Sequence, residues 1–437
     1  MSPDSTVGTR WCFGADGAAD LADAFHQFLG SLEYRPQLLG FGEPTHGVAE
    51  FLRLRNEAFR HLVEREGYRS IAIESDCLAA LTVDAYVTEG EGSLDDAMET
   101  GFSHGFGGLT ENRELVAWMR EYNGGHDAAE KVRFYGFDAP TEVTGAASPR
   151  QALTALHGYL ASNLEPAFLP CASETIDRLV GDDGRWTNPE AAMDPSKSVG
   201  ASQEATQLRL LTDDLVAALT SQSPWLVDAT SYEDWRRACL HGRTVAGLLR
   251  YHARMADGSG SRAAQLSRLM CQRDAMMAEN LQAIAAQEAR RESTLVFAQN
   301  LHLQKHRSQW LLPAGWGPLE GETLSWWSAG ALAAQMGSQY AFLAAALGST
   351  AEKGLDAPEP GTLEGALYAA TEGPCIFDSR RLAEALRGVG SELILRTDTS
   401  TDHGYFALDP DHLDGTDGVL FVRDVPAAPV GERPPAS

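Results

Sequence analysis

Six short, continuous apolar runs, separated by helical patterns, constrain this chain more than any other feature of its sequence. Runs without polar alternation are typical of strands buried on both faces, as in a parallel sheet. Between the first two runs, apolar residues recur at three- and four-residue steps, which predicts an amphipathic helix over 48–66. Strand, helix and strand in this order form a βαβ unit, so we predict an α/β fold with a parallel sheet. The runs cover residues 37–42, 70–73, 133–137, 294–298, 340–344 and 375–377.

The order of the patterns predicts how the 437 residues are organised. Residues 1–147 read as the first part of an α/β core, and 291–425 as its second part. Strand signals vanish over 148–290, where helical windows follow one another, which predicts a helical insertion lying over the sheet. Such an insertion is either a lid or cleft wall, or plain packing bulk, and the sequence does not separate the two. The tail over 426–437 has no apolar periodicity and is predicted to be disordered.

Charge and composition exclude several classes of partner. The chain has 61 acidic and 35 basic residues and a formal charge of −26, so nucleic acid and anionic membranes would repel it. No stretch approaches the ~20 apolar residues of a membrane span, and we expect no secretory signal. The six cysteines are widely scattered, and we expect free thiols in a reducing cytoplasm. We also expect a monomer or weak dimer with a small-molecule substrate.

Polar residues follow four of the predicted strands. The carboxyl ends of parallel strands lie along one edge of a sheet, which is where open α/β folds bind ligands. Acids, imidazoles and amides from distant parts of the chain should therefore meet at one rim, and we predict a functional site there. These residues are Glu43 and His46 after the first strand, Glu74 and Asp76 after the second, Asp138 after the third, and Gln299, Asn300 and His302 after the fourth.

Proton transfer is the chemistry that these groups allow. His46 can act as a general base near neutral pH, and Glu43 and Glu74 could orient its ring. No Ser or Cys has a spacing that marks it as a nucleophile, so activated water is the simplest attacking group. Arg55, on the following helix, could reach an oxyanion at the rim, although a surface ion pair explains it nearly as well. Taken singly, each acid could equally cap a helix.

Two further patterns in the sequence offer alternatives to a histidine base: a nucleophile elbow and a zinc site. The stretch GFSHG, with Ser103 and His104, matches a nucleophile elbow, but a helical pattern precedes it where a strand is required. We therefore expect Ser103 and His104 at most to line the cleft. His302 and His306 have the spacing of a zinc pair on a helix, but the catalytic Glu of that motif is absent. We expect no cofactor, and a divalent metal between the histidines and glutamates stays open as an alternative.

The stretch GFGEPTHGVAEFLRLRNEAFRHLVEREGYRSIAIESD closely resembles the erythromycin esterase family. The segments WMREYN, FYGFD, RDAMMAENL and FDSRRL resemble family segments in the same order. This resemblance implies a three-layer α/β/α core with helical additions that form a deep cleft. It also implies hydrolysis of a carboxylic ester, such as a macrolide lactone, by water that a histidine activates. Carried onto this chain, His46 is the implied base, and Glu43, Glu74 and Arg55 are its implied partners.

One position departs from the family pattern. After the fourth strand the family usually reads H-N-x-H, whereas this chain reads Gln299-Asn300-Leu301-His302. Glutamine can form hydrogen bonds but carries no proton at neutral pH, so a step that uses the first histidine is in question. The catalytic candidates are His46, Glu43, Glu74, Arg55 and His302, of which Arg55 and His302 are expected to bind or polarise the carbonyl. The candidate residues for substrate binding are Gln299, Asn300, Ser103, His104 and Asp138.

Three functions therefore remain open at this point. The first is a cofactor-independent hydrolase of an ester or lactone in a bulky natural product, with a role in antibiotic resistance or biosynthesis. The second, motivated by Gln299, is an elimination, cyclisation or isomerisation enzyme that uses the same acids and bases. The third is a protein that binds a small molecule in the cleft without catalysis.

Overall fold

The fold was analysed in a computed structural model that describes residues 8–14, 18–142, 144–192, 194–337, 339–389, 393–397 and 404–425. The predicted tail over 426–437 lies outside the described residues. Ten strands and fifteen α-helices are assigned in these ranges. The strands are β1 (Arg10–Cys12), β2 (Leu38–Glu43), β3 (Ser70–Asp76), β4 (Arg133–Asp138), β5 (Thr294–Gln299), β6 (Arg307–Leu311), β7 (Thr323–Trp327), β8 (Tyr340–Thr350), β9 (Cys375–Asp378) and β10 (Gly418–Val425).

The helices alternate with the strands at both ends of the chain and follow one another in its middle. They are α1 (Ala18–Ser31), α2 (Ala49–Arg65), α3 (Ala80–Glu89), α4 (Leu94–Thr100), α5 (Thr110–Gly124), α6 (Arg150–Asn163), α7 (Ser173–Val180), α8 (Gln203–Ser221), α9 (Ser223–Ala229), α10 (Tyr232–Met255), α11 (Arg262–Glu288), α12 (Asn300–Leu303), α13 (Ala329–Gln335), α14 (Leu363–Ala370) and α15 (Ser379–Val389).

Eight strands form one sheet in the order β1-β9-β10-β8-β2-β5-β3-β4, and β6 and β7 form a separate antiparallel hairpin. The pairs from β10 through β8, β2, β5 and β3 to β4 are all parallel. Strand β9 runs antiparallel to both of its neighbours, β1 and β10. The predicted α/β class with a mostly parallel sheet is thus confirmed.

Apolar side chains leave both faces of the sheet and pack under helices on each side. Along β8, Leu343 and Leu347 join one cluster, together with residues of α1, α2, α3 and α5. The alternate residues Tyr340 and Phe342 join a second cluster with α11, α14 and α15. Because successive side chains of a strand point to opposite faces, one continuous apolar run supplies both layers of the core. This explains why the central strands lack polar alternation.

All six apolar runs predicted as strands form strands in the structure. The expectation that each is parallel is wrong for the run at 375–377, because β9 is antiparallel on both sides. Three-residue β1 and the β6–β7 hairpin were not predicted. Parallel β10 was also missed, although its sequence GVLFVRDV contains an apolar run.

Between β4 and β5 the chain forms helices α6 to α11. Most of them share an apolar cluster of their own, built around Leu156, Leu208 and Leu215. Helix α11 differs, because Met277 and Leu281 pack in the cluster that covers the sheet. The helical region therefore contains one helix of the core layer, and the predicted domain boundaries stay a prediction.

No helix in the described part of the chain has both the length and the apolar character needed to span a membrane. Cys12 and Cys375 form a disulfide between β1 and β9, where the two residues are directly paired across the strands. The expectation of six free thiols is therefore wrong for these two, since their positions opposite each other could not be read from a separation of 363 residues. Disulfides persist in oxidising compartments, so the cytoplasmic prediction loses the support that it took from free thiols.

We predict that reducing the Cys12–Cys375 disulfide lowers the thermal midpoint of unfolding. The bond restricts the unfolded chain over a very long loop, and such a bond contributes about 2–5 kcal/mol to stability. Thermal unfolding followed by circular dichroism, with and without dithiothreitol, measures the effect. As a control, the Cys12→Ser variant should unfold at the lower midpoint in both buffers. A midpoint that reductant does not change would contradict the prediction.

Candidate active site

The carboxyl ends of four neighbouring strands bring the predicted site residues to one edge of the sheet. In the parallel register, Glu43 at the end of β2 pairs with Gln299 at the end of β5. Asp76 at the end of β3 pairs with Asp138 at the end of β4. Because β5 lies between β2 and β3, all four ends are adjacent. The predicted meeting of these groups at one rim is therefore observed.

His46 is oriented by Glu43 on the turn that follows β2. The Nδ1 atom of His46 lies 2.7 Å from Oε1 of Glu43, which is almost fully buried at the end of the strand. A carboxylate can only accept a hydrogen bond, so Nδ1 carries the proton and Nε2 is left as the basic nitrogen. The His46 side chain is 38% exposed, and it lines a polar and aromatic cavity beside the strand ends. Its basic nitrogen is therefore accessible to a ligand.

His302 forms a second pair of the same kind from the opposite side. It lies on α12, which begins directly after β5, and its Nδ1 is 2.9 Å from Oδ1 of Asp274 on α11. Asp274 is fully buried and also accepts a hydrogen bond from the backbone N–H of Ala329. The Nε2 atom of His302 lies 3.3 Å from Oε1 of Glu74.

Glu74, at the end of β3, lies between the two histidines. Its Oε1 is 3.3 Å from Nε2 of His302, 3.3 Å from a guanidinium nitrogen of Arg273, and 4.0 Å from Nε2 of His46. Its Oε2 accepts a hydrogen bond of 3.0 Å from the backbone N–H of Gln299. At 4.0 Å, Glu74 influences His46 through charge and not through a hydrogen bond. Of the two carboxylates predicted to orient His46, only Glu43 contacts its ring directly.

These contacts shift the titration of all three central groups. Burial lowers the pKa of His46, but the carboxylates of Glu74 and Glu43 outweigh it and hold the pKa above its usual value. Burial also lowers the pKa of His302, but Asp274 and Glu74 outweigh it, so this pKa is raised as well. The pKa of Glu74 is lowered, because the two histidines and Arg273 outweigh the effect of burial. A carboxylate held ionised between two imidazoles can keep one of them protonated.

Asp138 is the centre of a second charged network beside the first. Its carboxylate accepts hydrogen bonds from Arg273, the shortest being 2.6 Å, and lies 3.2 Å from Nε2 of His104. Burial opposes ionisation of Asp138, but Arg273 and His104 lower its pKa to about 2. The other ring nitrogen of His104 lies 3.2 Å from Glu142. The two acids outweigh burial and raise the pKa of His104 to about 10, so its ring is cationic at neutral pH.

A cavity of about 580 Å³ opens over these groups. Its floor is polar, whereas the β6–β7 hairpin and Phe406, in the segment before β10, contribute an aromatic wall. The rings of Trp310 and Trp316 pack edge to face at 5.2 Å, and Phe406 contacts Trp310 in the same way. Trp326 also lines the cavity, while its neighbour Trp327 is exposed. A volume of this size suits a bulky, partly apolar ligand.

Five predicted site residues do not line this cavity; Glu43 and Asp138 contact side chains that do, whereas Ser103, Asn300 and Arg55 are held by other contacts. Ser103 accepts a hydrogen bond from the backbone N–H of Asp76 and holds a loop in place. Both amide atoms of Asn300 bond to the backbone of Ala345, which fixes α12 to β8.

Arg55 is completely buried below the site, where it bonds to Asn56 and lies over the ring of Phe297. Burial lowers its pKa to about 10. The prediction that Arg55 reaches a ligand at the rim is not supported by this position, because the helix carries it away from the cavity. A helical position alone did not show which way the side chain points.

Arg273, Asp274 and Glu142 were missed as site residues. The first two lie on α11, far from the strand ends in sequence, within the segment RDAMMAENL. In the sequence, that segment shows only a likeness to the family. The available signal for a site was the pair of adjacent, opposite charges on an otherwise apolar helix face. Glu142 lies in the loop after β4, and its sequence context gave no signal.

Neither alternative motif keeps its predicted geometry. The GFSHG stretch follows helix α4 and not a strand, which agrees with the rejection of a nucleophile elbow. His302 and His306 do not share a helix, because α12 ends at Leu303, and the His306 ring stacks on His412. Among the described residues, no group of three or more His, Cys, Asp or Glu side chains is arranged to hold a metal ion.

The fold and the site define an α/β protein with two histidine–carboxylate pairs at the carboxyl edge of a parallel sheet. The erythromycin esterase family model matches residues 63–425, and the chain belongs to that family. The matched range includes Glu74, Asp138, Arg273 and His302, whereas Glu43 and His46 precede it.

Three solved structures share the fold at low sequence identity. A protein from Bacillus cereus aligns with a TM-score of 0.66 at 16% identity, covering 98% of this chain and 94% of its own. A succinoglycan biosynthesis protein aligns with a TM-score of 0.60 at 17% identity over the same shares. A mutant of the erythromycin esterase EreC in its open conformation aligns with a TM-score of 0.64 at 17% identity, covering 92% of this chain and 96% of its own. At these identities the likeness concerns the fold alone.

We predict that His104 makes the free energy of unfolding depend on pH between neutrality and pH 10. Its pKa is about 10 in the folded protein, against ~6.5 in an unfolded chain. The stability from its two ion pairs is therefore fully present below the unfolded value and is lost as pH rises towards 10. Urea unfolding at pH 6, 8 and 10 should show a smaller decrease for His104→Gln than for the unchanged protein. In Glu142→Gln, the decrease should begin at lower pH, and parallel curves for all three proteins would contradict this account.

Proposed function

We propose that the protein hydrolyses a carboxylic ester or lactone in a bulky natural product, with water as the attacking group. One observation supports this function most directly. The buried carboxylate of Glu43 holds His46 by Nδ1, so that its basic Nε2 is left for the cavity. This is the arrangement that a histidine base requires, because the partner fixes the tautomer and stabilises the imidazolium. Family membership supports the hydrolase class.

In the proposed reaction, Nε2 of His46 removes a proton from water as its oxygen attacks the ester carbonyl. The carboxylates of Glu74 and Glu43 raise the pKa of His46 against the effect of burial, which makes its Nε2 a stronger base towards water. The imidazolium that forms is stabilised by Glu43 at 2.7 Å and by the charge of Glu74 at 4.0 Å. No covalent intermediate is needed.

The tetrahedral oxyanion needs positive charge or hydrogen-bond donors on the cavity wall. Arg273 and the cationic His104 both line the cavity and are fixed by Asp138, so they would not need to reorganise during the reaction. When the bond from the acyl carbon to the ester oxygen breaks, His302 can donate its Nε2 proton to the departing alkoxide. The products are then a carboxylic acid and an alcohol.

Protein nucleophiles have less support as an alternative. The Ser103 hydroxyl contacts the backbone of Asp76 and has no histidine partner. Burial raises the pKa of the Cys77 thiol to about 12, which opposes formation of a thiolate. Neither residue lines the cavity that contains His46.

The aromatic wall supports a bulky substrate. Trp310, Trp316 and Phe406 present large rigid surfaces opposite the polar floor, so an apolar ring system can pack there while its ester faces His46. Macrolide-like lactones combine these two features. We therefore propose macrolide-like lactones and related bulky esters as the substrate class. The proposed reaction uses no cofactor.

We predict that His46→Ala lowers kcat by at least ~10²-fold on an ester or lactone substrate, which is the lower end of the contribution of a general base. Hydrolysis of a panel of macrolide lactones, followed by mass spectrometry, measures the loss. His157→Asn is the matched control, because that buried histidine bonds a backbone carbonyl in the helical region, far from the cavity. Full activity of His46→Ala, or an equal loss in the control, would show that His46 is not the base.

Gln299 gives specific support to a second function, an elimination, cyclisation or isomerisation on the same substrate class. It lines the cavity where the family usually has histidine, and its side-chain amide has no hydrogen-bond partner within the described ranges. An amide can bind a carbonyl but cannot relay a proton. With one titrating group fewer, the site could stabilise an enolate or guide a ring closure without water.

Reaction in ¹⁸O-labelled water separates the two functions. Hydrolysis places the label in the product carboxylate, whereas elimination, cyclisation and isomerisation leave the product unlabelled. If hydrolysis is the native reaction and Gln299 limits it, we expect Gln299→His to raise the rate of label incorporation. If Gln299→His instead no longer forms an unlabelled product that the unchanged protein forms, and shows no hydrolysis, the second function is favoured.

A further inference from the structure

A second cavity lies beside β4, outside the candidate active site. Its lining runs along the strand from Arg133, the first residue, to Gly136, and it includes residues of α3, α10 and the last turns of α11. Arg133 lies about 17 Å from Asp138 along the strand, at ~3.3 Å per residue, and none of the residues that line this cavity lines the cavity around His46. The cavity encloses about 40 Å³, and nothing in the proposed reaction uses it.

Four arginines supply most of the charged groups in the lining of this second cavity, and many of the other lining residues are apolar. Four guanidinium groups face two carboxylates there, in a protein whose acidic residues outnumber its basic ones by 61 to 35. The cavity therefore has a local excess of positive charge, whereas the whole molecule has a large negative charge. The four are Arg133, Arg236, Arg237 and Arg243, and the two carboxylates are Asp84 and Glu233.

Both carboxylates are already engaged by Arg133. Asp84 accepts from two nitrogens of Arg133, at distances down to 2.6 Å, and also caps the backbone N–H of Phe134. Glu233 lies 2.9 Å from the same guanidinium and 4.0 Å from Arg236. Within the part of the chain that the structure describes, Arg237 and Arg243 have no carboxylate within 4.0 Å.

Helix geometry explains why the arginines converge. Arg236 and Arg243 are seven residues apart on α10, which is close to two turns, so both project from one face of the helix. Leu240 lies between them and lines the same cavity. Arg237 is exposed beside this face at the mouth of the cavity.

Two of these guanidinium groups have unused hydrogen-bonding capacity. The Nη1 atom of Arg236 is buried without a hydrogen-bond partner among the described residues. Arg243 has one long hydrogen bond of 3.4 Å, from Nε to the amide oxygen of Asn280. Burial lowers the pKa of Arg243, and nearby Arg236 adds to this effect. Buried donors without acceptors cost free energy, which a bound acceptor would offset.

We propose that this cavity binds a small tetrahedral oxyanion of the phosphate or sulfate class. The forked donors of arginine match the oxygens of such an ion, and two or more forks can contact it at once. A volume of about 40 Å³ holds roughly three water-sized positions, which suits a single oxyanion and excludes a nucleotide.

Binding at this place links separate parts of the fold. Arg133 belongs to the central sheet, whereas Arg236 and Arg243 belong to α10 of the helical region. The C-terminal half of α10 contributes Tyr251, whose hydroxyl bonds to the backbone of Glu142 in the loop that borders the active-site cavity. An oxyanion between α10 and β4 therefore stabilises the position of the helix that supports this loop.

Isothermal titration of the full-length protein with inorganic phosphate and with sulfate tests the proposal, at constant ionic strength set with sodium chloride. We expect one ion per chain with an affinity in the millimolar range or tighter, and acetate should bind no better than chloride. Arg243→Gln and Arg236→Gln should each weaken binding by at least about tenfold. Arg254→Gln is the matched control, because Arg254 is an exposed arginine on the same helix outside the cavity.

Thermal unfolding provides the second measurement. Phosphate and sulfate should raise the midpoint of the unchanged protein and of Arg254→Gln, but not that of Arg243→Gln. The proposal is overturned if neither ion binds at about 20 mM, if Arg236→Gln and Arg243→Gln bind as tightly as the unchanged protein, or if Arg254→Gln loses binding equally. Equal binding of acetate would overturn the tetrahedral class.

Discussion

The buried carboxylate of Glu74 is the interaction on which the rest of the active site depends. It is positioned by β3 and by the backbone N–H of Gln299, so the sheet itself fixes its place. Two imidazoles and Arg273 surround its oxygens at 3.3 to 4.0 Å. Isolated in the interior, such a charge would be protonated, but here the cations lower its pKa and keep it ionised. The same negative charge raises the pKa of both histidines, so in the proposed reaction one carboxylate would act on both the base and the acid.

This arrangement concentrates charge at a cost in stability. Asp138, Arg273 and Asp274 are almost completely buried, and burying ion pairs commonly yields less stability than apolar packing would. The apolar clusters on both faces of the sheet compensate for it, since they enclose nearly every central strand. The charged residues are attached to strand ends and to one long core helix, α11, and these elements hold them rigidly. Rigid placement is what a site needs when it must stabilise charge without reorganising.

The sequence predicted the parts of this structure that follow from local periodicity. Six strands and the helix at 48–66 were predicted because their apolar patterns are decided by residues close together in the chain. Convergence of Glu43, His46, Glu74 and His302 was predictable too, since parallel strands must end at a common edge. Strand direction in β9, the Cys12–Cys375 pairing and the contribution of α11 depend on contacts between segments that are distant in the chain, separated by 363 residues in the case of the disulfide. Arg55 could not be placed from its helical position, because local periodicity does not show that its side chain is fully buried, where the charge of Glu43 acts on it, and not at the rim.

Gln299 is important because it reduces the number of side chains near Glu74 that can carry a proton. Where the family usually has two histidines after this strand, only His302 can titrate here, and Asp274 and Glu74 both favour its charged form. His46 is less enclosed than His302, and the charge of His302 opposes a second proton on it. In the proposed reaction His302 is therefore the acid and His46 the base, with Glu74 between them. Gln299 would supply a hydrogen-bonding group that takes up no proton, so it does not compete with either ring.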